Sequence, residues 1–196
     1  MFSGIVERTL PFLERDGGRF RFDRRGWDVE LPGGSSIAFD GACLTVVEAT
    51  DDVVGVDVVA ETLARTTLGG LQPGDLVNVE RSVTLATLLD GGLVLGHVDA
   101  VGRVETAADG RLRVEFPERF GALVVEKGTI VVNGVALTVA GLGGSWFEVA
   151  LIPETERRTN LGRLEAGDLV NLEFDVIGKY VARWHEVGRA AAVEDV

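Results

Sequence analysis

The chain of 196 residues carries one cysteine, Cys43, two histidines, His97 and His185, and two lysines, Lys127 and Lys179. A single cysteine excludes an internal disulfide and any cysteine-rich metal site. Two histidines add too little for a structural zinc site. No apolar run reaches ~18 residues, the length that spans a bilayer as a helix. The start, MFSGIVE, has no charged segment ahead of an apolar stretch, unlike a secretory leader. A dinucleotide fingerprint of the GxGxxG type is missing. Basic charge is scarce too: 19 Lys and Arg stand against 31 Asp and Glu, for a net charge of −12. Nucleic-acid binders usually present a basic face or a run of stacking aromatics, and this sequence offers neither. The expectation is a soluble cytoplasmic protein with no metal, no membrane and no nucleic acid as partner. Its hydrophobic content of 46 % is enough for packed cores.

What the chain does have is a repeat. FDGACLTVVEA from Phe39 returns as VNGVALTVAGL from Val132. ETLARTTLGGL from Glu61 returns as ETERRTNLGRL from Glu154, and GDLVNVE from Gly74 as GDLVNLE from Gly167. With a constant offset of 93, Gly34–Val83 lies over Lys127–Val176, and about 20 of the 50 paired positions are identical. At the starts of the copies, Gly4-Ile5-Val6-Glu7 lies over Gly96-His97-Val98-Asp99.

Each copy reads as a run of strands. SIAFD and ACLTV flank Asp40-Gly41; TIVVN and VALTV flank Asn133-Gly134. Both dipeptides favour the type I′ turn that matches hairpin twist. Further strands are expected at Val53–Val59, Leu76–Glu80, Phe147–Ile152 and Leu169–Phe174. Short helical turns are expected near Glu61-Thr62 and Pro153-Glu154-Thr155, with Pro153 in the first turn and Gly69 and Gly162 at the exits. The copies therefore predict two all-β barrels, each closed so that no strand edge is bare. After them, Ile177, Tyr180, Val181, Trp184, Val187 and Ala191 fall on one helical stripe that needs a partner surface, either its own barrel or another copy of the chain. His185 reads as surface or packing.

A duplicated barrel is either history alone or a pair of sites for two similar molecules. Thr45 and Thr138, Glu61 and Glu154, and Thr62 and Thr155 are kept in both copies. Hydroxyls and main-chain groups at such positions can read the polar edge of a heterocycle. Strand propensity explains the threonines equally well, and a helix cap the glutamates. Two differences point to divided labour. Cys43 stands over Ala136, and His97 stands over Ile5. The competing explanations are a small buried thiol and an ordinary hydrogen-bonded imidazole.

MFSGIVE, GACLTV, GHVDAVG, NGVALTV, IPETERRTNLG and DVIGKYVAR together resemble the riboflavin synthase family of the α-chain type, over nearly the whole chain. The resemblance implies an all-β fold of two homologous six-stranded antiparallel Greek-key barrels, closed and in tandem, followed by a C-terminal α-helix. The expected division is 1–92, 93–176 and 177–196, the last a trimerisation helix in a homotrimer. It implies dismutation of two molecules of 6,7-dimethyl-8-ribityllumazine by transfer of a four-carbon unit. The products would be riboflavin and 5-amino-6-ribitylaminouracil, formed with no cofactor. Each barrel would bind one lumazine, and the active site would form between barrels of neighbouring subunits.

Carried over by position, the resemblance gives an N-terminal substrate site of Gly4, Ile5 and Val6, then Cys43, Leu44 and Thr45, then Asp57, Val58, Val59, Ala60, Glu61 and Thr62. The C-terminal site would be Gly96, His97 and Val98, then Lys127, then Ala136, Leu137 and Thr138, then Ile152, Pro153, Glu154, Thr155, Glu156 and Arg157, with Asp175. Cys43 is the candidate nucleophile or ring contact. His97 is the candidate acid and base, a role that suits a side chain titrating near neutrality. Ala136 stands where the family carries serine, which leaves Thr138 as the nearby hydroxyl and a third catalytic candidate. Leu93 and Leu95 also depart from the family pattern. Rival readings are a lumazine-binding protein without catalysis and a nucleic-acid or redox β-barrel. Retention of His97 and Cys43 favours the enzyme.

Overall fold

The computed structural model describes residues 1–194, with side chains to Gly188. Six strands form the first barrel: β1 (Arg8–Asp16), β2 (Arg19–Asp23), β3 (Ser36–Phe39), β4 (Ala42–Ala49), β5 (Val53–Asp57) and β6 (Leu76–Arg81). They close in the order β1-β2-β5-β4-β3-β6, and every pairing is antiparallel. The second barrel repeats this with β7 (Ala100–Ala108), β8 (Arg111–Glu115), β9 (Thr129–Val132), β10 (Val135–Leu142), β11 (Trp146–Ala150) and β12 (Leu169–Phe174). Alternation makes each core: along β4, Ala42, Leu44 and Val46 point inward while Thr45 and Val47 face out. Bulges at Phe12/Glu14 and Val46/Glu48 bend the first barrel, and Val104/Thr106 and Val139/Gly141 bend the second at equivalent places.

The two Asx-Gly turns behave as their sequences require. Asp40 and Gly41 have φ of 44° and 80°, and Asn133 and Gly134 have 45° and 80°, positive at both central residues. They also meet each other. A Cβ on Gly41 would come within 2.9 Å of the Gly134 nitrogen, so the turns pack back to back at the pseudo-two-fold seam between the barrels. Around them Asn78 donates its side-chain amide to the Asn133 carbonyl at 2.8 Å, and Asn171 donates to the Asp40 carbonyl at 2.9 Å. Asn160 crosses the seam to Asp40 Oδ1 at 2.9 Å, and the Thr67 N–H reaches Asn171 at 2.8 Å. Phe2, Ala38, Val94 and Val131 form a small apolar cluster on the same seam.

The expected short helices are α1 (Ala60–Arg65) and α2 (Pro153–Arg158), with Pro153 in the first turn. Their exits differ from expectation. Each helix ends at a threonine, Thr66 or Thr159, whose hydroxyl binds back to the carbonyl of Thr62 or Thr155 at 2.7 Å. Gly69 and Gly162 lie inside the 3₁₀ turns that follow. Strand β5 stops at Asp57 rather than Val59, and β11 at Ala150 rather than Ile152, because the chain turns there into α1 and α2. The last helix, α3 (Val176–Glu194), leaves Ile177, Tyr180, Val181, Trp184 and Val187 exposed, Trp184 at 79 %. The side chain of Ala191 and all of residues 195 and 196 lie outside the described part. Among the described residues no helix is long and apolar enough to cross a membrane.

Candidate active site

The N-terminal segment and the inter-barrel segment cross over. Gly4-Ile5-Val6 runs to the second barrel: the Ala136 N–H donates to the Gly4 carbonyl at 2.9 Å, and Val6 belongs to the second core. Gly96-His97-Val98 runs to the first barrel: the Cys43 N–H donates to the Gly96 carbonyl at 2.8 Å, and Val98 packs on the first core. This corrects the grouping by sequence order, which put residues 4–6 with Cys43 and residues 96–98 with Ala136. Each barrel is completed by the segment that precedes the other. Gly96 has to be glycine, with φ +79° and a Cβ position 2.6 Å from the Cys43 Cβ.

A cavity of about 410 Å³ results at the first barrel. Ala42 and Cys43 of β4 form one wall, and Glu61, Thr62, Arg65 and Thr66 of the α1 turn another. Gly96, His97, Val98 and Asp99 close it, with Phe120 at the rim. Cys43 is half-buried and His97 exposed, so a thiol and an imidazole line one hollow of a size that suits a heterocycle. Phe120 stacks on Phe174 at 4.7 Å, which fixes the aromatic edge. Another hollow, about 850 Å³, straddles the seam around Asp40, Asn133 and Asn160 and holds none of the expected site residues.

The other expected residues divide by burial. Leu44, Val58 and Leu137 are buried core residues, so they shape the barrels. Thr45, Thr138, Val59, Ala60, Ile152, Pro153, Glu156 and Arg157 are exposed. Neither glutamate caps its helix: Glu61 pairs with Arg65 at 2.7 Å, and Glu154 pairs with Arg157 and Arg158. Hydrogen bonding to Arg157 holds the Glu154 carboxyl below its ordinary range, and Arg19 does the same for Asp57. Thr155 is half-buried, the counterpart of Thr62. Ile5 and Ala136 come together at the second barrel, where Gly91 of the linker packs against both. Lys127 is exposed on a turn with φ 66°, and Asp175 caps α3 through the N–H groups of Ile177 and Gly178. Neither lines the Cys43–His97 cavity.

Two buried carboxylates hold the crossing segments, and the sequence reading passed over both. Glu80 accepts from the Ser3 N–H at 2.6 Å, the Ser3 hydroxyl at 2.7 Å and the Gly4 N–H at 3.0 Å. Glu173 accepts from the N–H groups of Leu95, Gly96 and His97 at 2.8, 2.9 and 3.0 Å. Burial pushes both pKa values up, and the hydrogen bonds oppose it. The signal was present, since VNVE and VNLE keep this glutamate in both copies.

The lumazine binding domain family matches residues 3–82 and 95–175. A riboflavin synthase of Mycobacterium bovis is 44 % identical over 195 residues, covering 93 % of this chain and 97 % of its own. A riboflavin synthase of Chlamydia muridarum is 41 % identical over 183 residues, covering 91 % and 92 %. Among solved structures, LumP complexed with riboflavin superposes with a TM-score of 0.79 at 26 % identity, over 89 % of this chain and all of that one. LumP complexed with 6,7-dimethyl-8-(1'-D-ribityl) lumazine gives 0.74 at 27 % identity, over 88 % and 98 %.

Proposed function

The chain belongs to the lumazine binding domain family, and from that premise we propose that it acts as a riboflavin synthase. Two molecules of 6,7-dimethyl-8-ribityllumazine dismutate, one giving a four-carbon unit to the other. The reaction balances between the two, so no oxidant or carrier is called for. The observation that carries this reading is the meeting of Cys43 and His97 in one cavity at the first barrel. The second barrel keeps the same framework but has Ala136 and Ile5 at those positions. One scaffold thus supports two related sites with different chemistry, as a reaction between two identical molecules in unlike roles needs.

His97 is the acid and base for protons on the lumazine methyl groups, and Cys43 touches the ring as nucleophile or polar contact. Thr62 and the main chain of the α1 turn, with Thr155 and the α2 turn opposite, read the pyrimidine edge. Thr138 supplies the hydroxyl near Ala136. Holding two reactive heterocycles in fixed geometry can itself remove roughly 7–11 kcal/mol of barrier. The cavity of Cys43 and His97 includes none of Ile5, Ala136 or Thr138. The second lumazine therefore comes from a neighbouring subunit, and Lys127 and Asp175 act from that side. The assembly is a homotrimer joined through α3, in a cytoplasmic setting.

Incubation of the purified protein with 6,7-dimethyl-8-ribityllumazine alone tests the reading. Riboflavin absorbance should rise with one product per two substrates consumed. His97→Ala should depress kcat by about 10²-fold or more while lumazine binding changes little. Tight binding without riboflavin formation by the unaltered protein would make it a carrier instead.

A further inference from the structure

The two repeats are not held alike, and the difference falls on the residue that carries the chemistry. In the first repeat Glu80 binds Ser3 and Gly4, while the Ile5 N–H turns to the Ser3 hydroxyl at 3.3 Å. In the second, no serine intervenes. Leu95 stands in place of Ser3, and the carboxylate of Glu173 binds the main chain of His97 itself. Glu173 is 3 % exposed and lies on β12, next to Phe174, which stacks on the cavity-lining Phe120. The far end of the segment is tied as well. Asp99 accepts from the Phe174 N–H at 2.9 Å and pairs with Lys179 of α3 at 2.8 Å.

We propose that Glu173 is a positioning residue for His97: it binds three successive N–H groups of the crossing segment and so presents the imidazole beside Cys43 to the bound lumazine. A carboxylate with two oxygens can serve three converging donors at once, and each such bond is charge-assisted and short. Its reach is fixed, because the strand that bears it belongs to the second barrel while the segment it grips lies on the first. Motion of His97 is thereby referred to the rigid seam and not to a free loop. A misplacement of about 1 Å at a reacting group can cost on the order of 10²-fold in rate, so a clamp on the main chain matters to turnover even though Glu173 touches no substrate.

The inference rests on the reading of the cavity as a lumazine site, and the experiment separates the two. Glu173→Gln removes the charge and turns an amide donor toward N–H donors on one side, leaving one accepting oxygen for three donors, so the clamp is broken with little change in size. In the full chain it should lower kcat by about 10–100-fold and leave KM within a few-fold. In a His97→Ala background the same change should lower kcat by less than about 3-fold, since Glu173 has nothing left to position. Glu80→Gln is the control: it removes the equivalent carboxylate, and its effect should persist undiminished in the His97→Ala background. An equal loss from Glu173→Gln in both backgrounds, or no loss in either, overturns the proposal. Should Glu173→Gln fail to fold, Glu173→Asp keeps the charge and shortens the reach, and the same cycle applies. Amide hydrogen exchange across Leu95–His97 gives a readout free of activity. Faster exchange in the variant supports the clamp and unchanged exchange defeats it. If the unaltered protein binds but does not convert lumazine, the reading of the site fails, and the exchange measurement alone decides the clamp.

Discussion

Asp40 and Asn133 fill the same place in the two Asx-Gly turns, but only Asp40 can titrate. It is 4 % exposed, and burial raises its pKa to about 7 against the bonds it accepts from the Asn78 N–H and the Asn160 amide. An acid whose folded pKa is raised holds its proton longer than the unfolded chain does. The folded state then binds more protons between about pH 4 and 7, and stability falls as pH rises through that window. The contribution is complete below the unfolded pKa and gone above the folded one. Asp40→Asn keeps the accepting oxygen, as Asn133 does for the Asn171 N–H at 2.8 Å. Denaturant unfolding at pH 5 and pH 8 should show the variant more stable by about 1–3 kcal/mol at pH 8, with that part of the pH slope flattened. An unchanged slope would mean that Asp40 is not the group that titrates. The pattern of identities between the copies showed the turn; it did not show that two such turns press against each other, so the cost of ionising Asp40 was not legible.

At the level of elements, the close approach of the segment Gly96-His97-Val98 to β4 controls the site. Alanine at Gly96 meets two penalties: a left-handed φ of +79° and a Cβ only 2.6 Å from that of Cys43 and 2.7 Å from the Phe2 ring. Gly17 separates them, since its φ is +59° but a Cβ there would find nothing within 4 Å. Gly17→Ala should cost about 1 kcal/mol and Gly96→Ala about 3 kcal/mol or more, measured by denaturant unfolding, with turnover lost only in the second. Similar costs for both would show that the segment does not lie against Cys43 as described. The β3–β4 and β9–β10 hairpins were legible because turn type follows from local residues. The hairpins β1–β2 and β7–β8 were not located: Gly17 and Gly110 close turns between charged strands such as RTLPFLERD, whose alternation is weak. The crossing was illegible for another reason. Identity between repeats records that a residue is kept, not which barrel it touches. Asn78, Asn171, Glu80 and Glu173 are kept in both copies for contacts across the seam or to the crossing segments, while Thr62 and Thr155 accept the hydroxyls that end α1 and α2.

For the whole molecule, the two sites and the last helix bear on one question. Within a chain the seam of Phe2, Ala38, Val94 and Val131 stands between the barrels, and the Cys43–His97 cavity draws on the first barrel, the crossing segment and Phe120. On the proposed reading, a lumazine in that hollow meets its reaction partner on a second subunit. On the same reading helix α3 supplies the means. Ile177, Tyr180, Val181, Trp184 and Val187 present a continuous apolar stripe, and Lys179 and Asp175 anchor its first turn to Asp99 and the end of β12. Covering an exposed tryptophan alone is worth roughly 2–3 kcal/mol, enough to weaken association strongly when a charge replaces it. Trp184→Glu should convert a trimer to a monomer in light scattering at micromolar concentration without changing the unfolding of the barrels. Turnover should fall by about 10²-fold or more, and lumazine binding to the separated chains should persist. Activity in the variant should recover as its concentration is raised, because the missing partner is then supplied by mass action. A monomeric variant that converts lumazine at the full rate would require both molecules to meet on one chain, and the separation of the two sites by the seam argues against that outcome.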